Sequence, residues 1–404
     1  MDPVTSRPAL HLTPRRGWLN DPLGLTWRDG RYDLFFQAVP SATAWAPECH
    51  WAHAVSADLV TWTEVETALA PGDGDDGVWS GSVARGDDGD VLFYTSVSRS
   101  DLDRGRVRIA RPADEGWRSW LKGPVVAEAP ADLELTTYRD PFVFRDGDGW
   151  AMLVGAGLAD GTGAALAYTS PDLEHWTPRG VAAARSGHEH EPWTGLAWEC
   201  PQLVRFPDAD VLLLSAWAPD RLDSVAYGVG TWADGRFTAR SWGRLTFGDS
   251  YYAGSVFRDA EDRPGLIAWL REVRGDDWTG ALSVPHRLEL EGDRLVARPH
   301  PAVRAATGTL ELTGDTAVDG PTVARWAGTG TLELLGPGDA IAVRLVAETG
   351  TLRIEPAGGE ATRVPHEGGP VDLVLDTGVL EVACAGGLFA APVPSISRAV
   401  ASAG

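Results

Sequence analysis

Three short motifs place an acidic residue one or two positions before a proline. WLNDPLG spans residues 18–24, YRDP spans 138–141 and WECP spans 198–201. Asp21, Asp140 and Glu199 are far apart in the chain, so they can act together only if the fold gathers them. Gathered, they could break a glycosidic bond with retention. One carboxylate attacks the anomeric carbon while a second, still protonated, donates to the leaving oxygen, the pair standing about 5–5.5 Å apart. A third carboxylate can grip sugar hydroxyls in the transition state and, by like-charge repulsion, help keep the acid protonated. On residue type alone these acids serve equally well as turn and cap residues of a β-rich fold, and the motifs by themselves leave that reading open.

Other reactive side chains make weaker cases. His50 and His53 lie in HWAH and His188 and His190 in HEHE, but a helical HExxH is missing and the context is β-prone, so rim or packing histidines are expected and no metal or cofactor. Cys200 adjoins Glu199, yet no motif sets a histidine to activate it, and a small buried filler is expected. The formal charge of −22 argues against nucleic acid and anionic membranes as partners and favours a neutral ligand. The 18 tryptophans supply flat platforms for sugar C–H faces, although most should fill β-rich cores. Cys49, Cys200 and Cys384 lack framework spacing and fit free thiols. With no apolar leader run and no apolar stretch long enough to span a bilayer, a cytoplasmic protein is expected.

The elements that must position the acids show as a repeat. Units start at Asp21, Trp79, Asp140, Glu199 and Tyr252, each a polar start, a short apolar strand, an acidic turn and a strongly apolar strand. Their turn residues Asp29, Asp88, Asp146, Asp208 and Asp262 are 59, 58, 62 and 54 residues apart. SADLVTWT from Ser56 echoes SPDLEHWT from Ser170, at 114 residues or two periods. Units of this length built from short strands predict propeller blades. The expected fold is all-β: a five-bladed β-propeller over 1–295 and a β-sandwich over 296–404, with LEGDRLVARPHPAVRA as the connector. After Pro301 apolar and polar residues alternate between glycine turns, as in an antiparallel sandwich. The polar starts of all five units should meet at one mouth of the propeller channel.

With the repeat in view, the motifs resemble those of glycoside hydrolase family 32, the invertase, inulinase and levanase group. Its Trp-Met-Asn-Asp-Pro-Asn-Gly, Arg-Asp-Pro and Glu-Cys-Pro blocks occur here in order. YDLFFQ ending at Gln37, CHWAHAVSADLVTW at 49–62, WSGS at 79–82, YYA at 251–253 and WTGALSVP at 278–285 add to the likeness. The resemblance implies a β-fructofuranosidase acting on sucrose or fructans, with Asp21 as nucleophile, Glu199 as acid/base and Asp140 as transition-state stabiliser. It implies a fructose subsite lined by Asn20, Gln37, Trp45, Trp51, Trp79, Ser80 and Arg139, with Tyr252 and Trp269 close by. Leu23, Gln202 and His286 depart from the family's usual Asn, Asp and Arg, which bears on the leaving group rather than the reaction. Rival readings are a fructosyltransferase, an inverting five-bladed arabinofuranosidase or xylosidase, whose carboxyl groups stand farther apart, and a fructan-binding protein without catalysis. The partner expected in each fructan reading is a neutral fructose-containing saccharide, and the sequence leaves monomer and homo-oligomer open.

Overall fold

The computed structural model describes residues 7–189 and 191–402. Five four-stranded blades form a propeller, and two six-stranded sheets form a sandwich behind it. The innermost strands are Gly17–Arg28, Gly77–Gly86, Leu135–Asp146, Ala197–Arg205 and Tyr251–Arg258. The second strand of each blade holds a run buried on both faces: Leu34–Phe36, Val91–Tyr94, Ala151–Val154, Val211–Leu214 and Leu266–Leu270. A strand with a blade on either side has no solvent face, which is why these stretches read as continuous apolar runs. The Ser56 and Ser170 echo is a shared turn. Asp58 Oδ1 accepts from the backbone of Val60 and Thr61, Asp172 Oδ1 accepts from Glu174 and His175, and Leu59 and Leu173 both take a positive φ.

Each innermost strand carries a pairing irregularity at its polar start. The register slips between Leu19 and Pro22, Trp79 and Gly81, Arg139 and Phe142, Glu199 and Gln202, and Tyr252 and Ser255. The following residue is Pro22, Gly81, Pro141, Pro201 or Gly254. Proline cannot donate to the ladder, which interrupts pairing in the first, third and fourth blades; in the second a Cβ at position 81 would sit 1.9 Å from the Phe93 carbonyl oxygen, so only glycine fits beside the bulge. Asp140, Cys200 and Ala253, at matching bulge positions, take φ of 63°, 47° and 47°.

The ring closes between the first and last blades. Gly17 and Trp18 pair in parallel with Trp278 and Thr279, and Thr26 with Arg258. The strand Arg294–Pro299 is the outer edge of the fifth blade, within the stretch read from sequence as a connector; the link onward is a short helix, Pro301–Thr307. Trp326 sits in the sandwich core among Leu334, Val343, Leu373 and Leu380.

Sandwich and propeller are clasped by buried charge. His11 Nδ1 lies 2.8 Å from Asp376 Oδ2 and Nε2 lies 2.7 Å from Glu381 Oε1. Glu381 also accepts from the Tyr251 hydroxyl and, at 2.8 Å, from the Val284 amide. Burial alone would lower the His11 pKa, but the two carboxylates raise it to about 9, so the imidazolium donates to both. Its contribution to stability is complete below the ordinary histidine value of 6.5 and is lost as pH rises through about 9. His11→Ala should therefore lower the melting temperature most near pH 6, with the gap to wild type narrowing between pH 7 and 9.5. Calorimetry across that range checks it; a gap independent of pH would refute a charged His11.

Candidate active site

The five bulges aim two residues per blade at one mouth of the channel. At the bulge itself stand Asp21, Ser80, Asp140, Cys200 and Ala253; one residue earlier stand Asn20, Trp79, Arg139, Glu199 and Tyr252. Eight of these ten residues line a pocket of about 450 Å3, and the thiol of Cys200 bridges beneath it. Cys200 Sγ lies 4.0 Å from Asp21 Oδ2 and 3.7 Å from Asp140 Oδ2, so the two aspartates flank it.

Asp21 receives three hydrogen bonds. Asn20 Nδ2 donates to Oδ1 at 2.9 Å, while Gln37 Nε2 at 2.9 Å and Ser80 Oγ at 2.5 Å donate to Oδ2. Glu199 is gripped from two sides, by the Tyr252 hydroxyl at 2.7 Å and Arg139 Nη1 at 3.2 Å. Arg139 also lies 5.4 Å above the rings of Trp79 and Trp217, which fixes the guanidinium plane. Asp140 accepts the Cys200 amide at 3.0 Å, while its own amide donates to Thr95 Oγ1 at 2.8 Å.

Burial, and then the nearby charge of Glu199, push the Asp140 carboxyl up to about 8. Burial also raises Glu199, with the Asp21 charge adding to it and Arg139 and Tyr252 opposing it. The Cys200 thiol is driven well up by burial and the surrounding carboxylates, so it stays a neutral filler. The arrangement holds one carboxyl group as an acid beside another whose oxygens both accept, which is the division of labour that acid-assisted nucleophilic displacement requires.

Asn20, Asp21, Gln37, Trp45, Trp79, Ser80, Arg139, Asp140, Glu199, Tyr252 and Trp269 all line the pocket. Trp51 does not. Its ring is fully buried against Phe35 and Tyr94, and its indole N–H donates to the Trp79 carbonyl at 3.0 Å, bracing Trp79 from behind. Trp45 is 47% exposed and meets Trp79 edge to face at 5.7 Å. Residues the sequence reading passed over are Trp18, Leu102, Asp103, Trp217 and Leu222. The last four flank turns between second and third strands, which reach the same mouth as the polar starts but carry no motif. Trp18 sits in the first motif two residues before Asn20, and a period-two reading of that strand would have found it. His50 and His53 belong to a packed strand, with His53 Nε2 2.9 Å from the buried Asp33; His190 lies outside the described residues. Among the described residues no cluster of three or more His, Cys, Asp or Glu side chains is arranged to hold a metal ion, and no helix is long and apolar enough to cross a membrane.

A second cavity, of about 840 Å3, adjoins the pocket through Trp18 and Trp45 and runs between propeller and sandwich past Asp249, Glu272, Thr362 and Phe389.

A five-bladed propeller with three carboxylates at one channel mouth and a sandwich packed behind defines the architectural class. Within it, residues 11–299 match the model for the glycosyl hydrolases family 32 N-terminal domain, and the chain belongs to glycoside hydrolase family 32. It is 31% identical over 316 residues to a sucrose-6-phosphate hydrolase of Zymomonas mobilis, covering 72% of this chain and 61% of that protein. It is 32% identical over 350 residues to a fructan 6-exohydrolase of Triticum aestivum, covering 74% and 57%. The chain thus spans roughly six-tenths of the length of these curated relatives. Among solved structures, the Bombyx mori family 32 β-fructofuranosidase superposes with a TM-score of 0.83 at 24% identity, covering 98% of this chain and 90% of that one. The Cichorium intybus fructan 1-exohydrolase IIa does so at 0.76 and 18%, covering 98% and 94%.

The raised Asp140 value gives a stability prediction. A carboxyl group more easily ionised unfolded than folded costs stability as pH rises from its ordinary 3.8 to about 8. Asp140→Asn keeps an acceptor for the Cys200 amide and removes that cost. It should melt with wild type near pH 4 and roughly 2–4 °C above it at pH 8. A variant less stable than wild type at pH 8 would show that the carboxylate is not under strain.

Proposed function

We propose that this chain is a retaining β-fructofuranosidase that releases terminal β-D-fructofuranosyl units from sucrose or fructo-oligosaccharides. The observation that carries this reading is the contrast between the two carboxyl groups. Glu199 is held by Tyr252 and Arg139 with its pKa raised, next to an Asp21 fixed by three donors. Asp21 attacks the anomeric carbon as Glu199 protonates the leaving oxygen, giving a fructosyl ester on Asp21. Glu199, now a base, takes a proton from water, which releases fructose with its configuration retained. Asp140 holds fructose hydroxyls in the geometry of the oxocarbenium-like transition state.

The pocket favours an uncharged sugar. Its lining carries four acidic side chains, Asp21, Asp103, Asp140 and Glu199, of which burial holds Asp140 and Glu199 toward the protonated form, against one guanidinium, Arg139, which already serves Glu199 and stands 3.8 Å from Asp103. A phosphate dianion would enter against a lining that stays net acidic, since Arg139 is already engaged and the adjoining cavity sets Arg271 and Arg274 against Asp249, Glu272 and Glu360. The ligand of this reading is therefore sucrose rather than the phosphorylated sucrose in the names of several relatives, and the adjoining cavity gives room for oligosaccharides. A cytoplasmic address belongs to the same reading, supported by three cysteines that are all unpaired and buried.

Sucrose and a fructosyl-sucrose trisaccharide should each yield free fructose, at a kcat/KM at least tenfold above that for sucrose 6-phosphate. NMR in the first minutes should show β-fructofuranose before mutarotation. Release of the α anomer first would mean inversion, and no fructose from any of the three sugars would end the reading. Asp21→Ala should lose roughly four orders of magnitude in kcat while keeping its fold.

The pH dependence separates the acid from the nucleophile. Activity should fall as pH rises through the raised pKa of Glu199, because the leaving oxygen then lacks its proton. Glu199→Gln should lose that basic limb and most sucrose turnover, yet retain far more activity on a fructoside whose leaving group is strongly acidic. Unchanged sucrose turnover in Glu199→Gln would assign the acid elsewhere.

A further inference from the structure

We propose that Trp18 is a positioning residue for Asp21, acting through Asn20; the inference rests on the fructosidase reading above. Trp18 and Asn20 stand two apart on the first inner strand and so share a face. The indole Nε1–H donates to Asn20 Oδ1 at 2.9 Å, and Asn20 Nδ2 donates to Asp21 Oδ1 at 2.9 Å. This relay fixes which way the Asn20 amide points. Turned over, its NH2 would face the indole N–H and its oxygen would face the carboxylate, two repulsive contacts in place of two hydrogen bonds. The Trp18 donor therefore selects the rotamer that feeds Asp21.

The other side of Asp21 is already held, since Gln37 and Ser80 both reach Oδ2. Asn20 supplies the side-chain donor to Oδ1, so it sets the rotation of the carboxylate plane about its bond to the chain. That rotation decides which oxygen lone pair meets the anomeric carbon, and small losses of orientation at a reacting atom cost large factors in rate. Trp18 is itself fixed. Its ring meets Trp269 edge to face at 5.4 Å, and its backbone pairs with Val39 on one side and Thr279 on the other. A Cβ on the preceding Gly17 would sit 2.3 Å from the Val39 carbonyl oxygen, so the chain enters this strand in one way. The contact that closes the propeller ring, Trp18 with Thr279, is thereby tied to the aim of the nucleophile.

The test is a double-mutant cycle on Trp18→Phe and Asn20→Ala, read in kcat and KM for sucrose. Trp18→Phe keeps an aromatic ring and removes the donor; it should lower kcat about tenfold. Loss of ring contact with sugar would fall on KM instead. If Trp18 acts through Asn20, the double variant should match Asn20→Ala in kcat within twofold, because the relay is already broken. A double variant that multiplies the two losses, or a Trp18→Phe whose kcat matches wild type, would overturn the proposal. Should Trp18→Phe fail to fold, 3-benzothienylalanine at position 18 keeps the bicyclic shape without the N–H, and the same comparison decides. Wild-type turnover is the control that keeps the two readings apart: its absence would count against the fructosidase assignment, and additivity in an active enzyme against the relay alone.

Discussion

The structure depends on one interruption repeated five times. Each innermost strand gives up regular pairing at the same depth, beside a proline in three blades and a glycine in the other two. The bulge turns two consecutive side chains toward the channel in place of one, because local twist increases where the ladder fails. Blade symmetry then determines which residues meet. Asp21, Asp140 and Cys200 occupy one ring of equivalent positions; Glu199, Arg139 and Tyr252 occupy the ring one residue earlier. The proposed acid and nucleophile thus come from non-equivalent places in the repeat, and that offset gives two carboxyl groups different partners although their strands are alike.

Different partners are what the cluster needs. Three carboxyl groups in a half-buried pocket cannot all be charged without cost, and the fold resolves the conflict by unequal support. Asp21 takes side-chain donors from blades one and two. Glu199 takes a phenol and a shared guanidinium. Asp140, the most buried, has one backbone donor to its carboxylate, from Cys200. The strain left over is borne by the rest of the molecule. The sandwich contributes through Glu381, which holds Tyr251, the residue before the Tyr252 that grips Glu199. The module behind the propeller thereby reaches the proposed acid through two consecutive tyrosines.

Much of this was legible in the chain. The five units, their period and the change of texture after Pro301 follow from hydrophobic patterning and turn residues, which report burial directly. The three acidic motifs stand out because a proline next to a functional residue constrains backbone and chemistry together. Trp51 was misread because a motif preserves a residue without saying which face of the strand it occupies, and register sent that ring into the core between blades. Asp103, Trp217 and Leu222 were missed because turns between second and third strands are set by tertiary placement and carry no periodic signal. The strand Arg294–Pro299 was read as linker because an outer edge strand is short and half polar, much like a connector.

The closure of the ring between Trp18 and Thr279 also bears on how the chain comes to exist. Synthesis delivers the first blade some 260 residues before its closing partner, so a nascent chain can stack four blades while the channel is still an open crescent. In that crescent Asp140 and Glu199 already meet across the stacked third and fourth blades, while the side of blade one that awaits the fifth is open to water. The fifth blade then brings the Tyr252 hydroxyl to Glu199 and shuts the channel, so the last support of the proposed acid arrives together with the pairs that close the ring. The blade made last in the ring thus completes the grip on Glu199, and a chain halted before Tyr252 holds all three carboxyl groups without the phenol that one of them leans on.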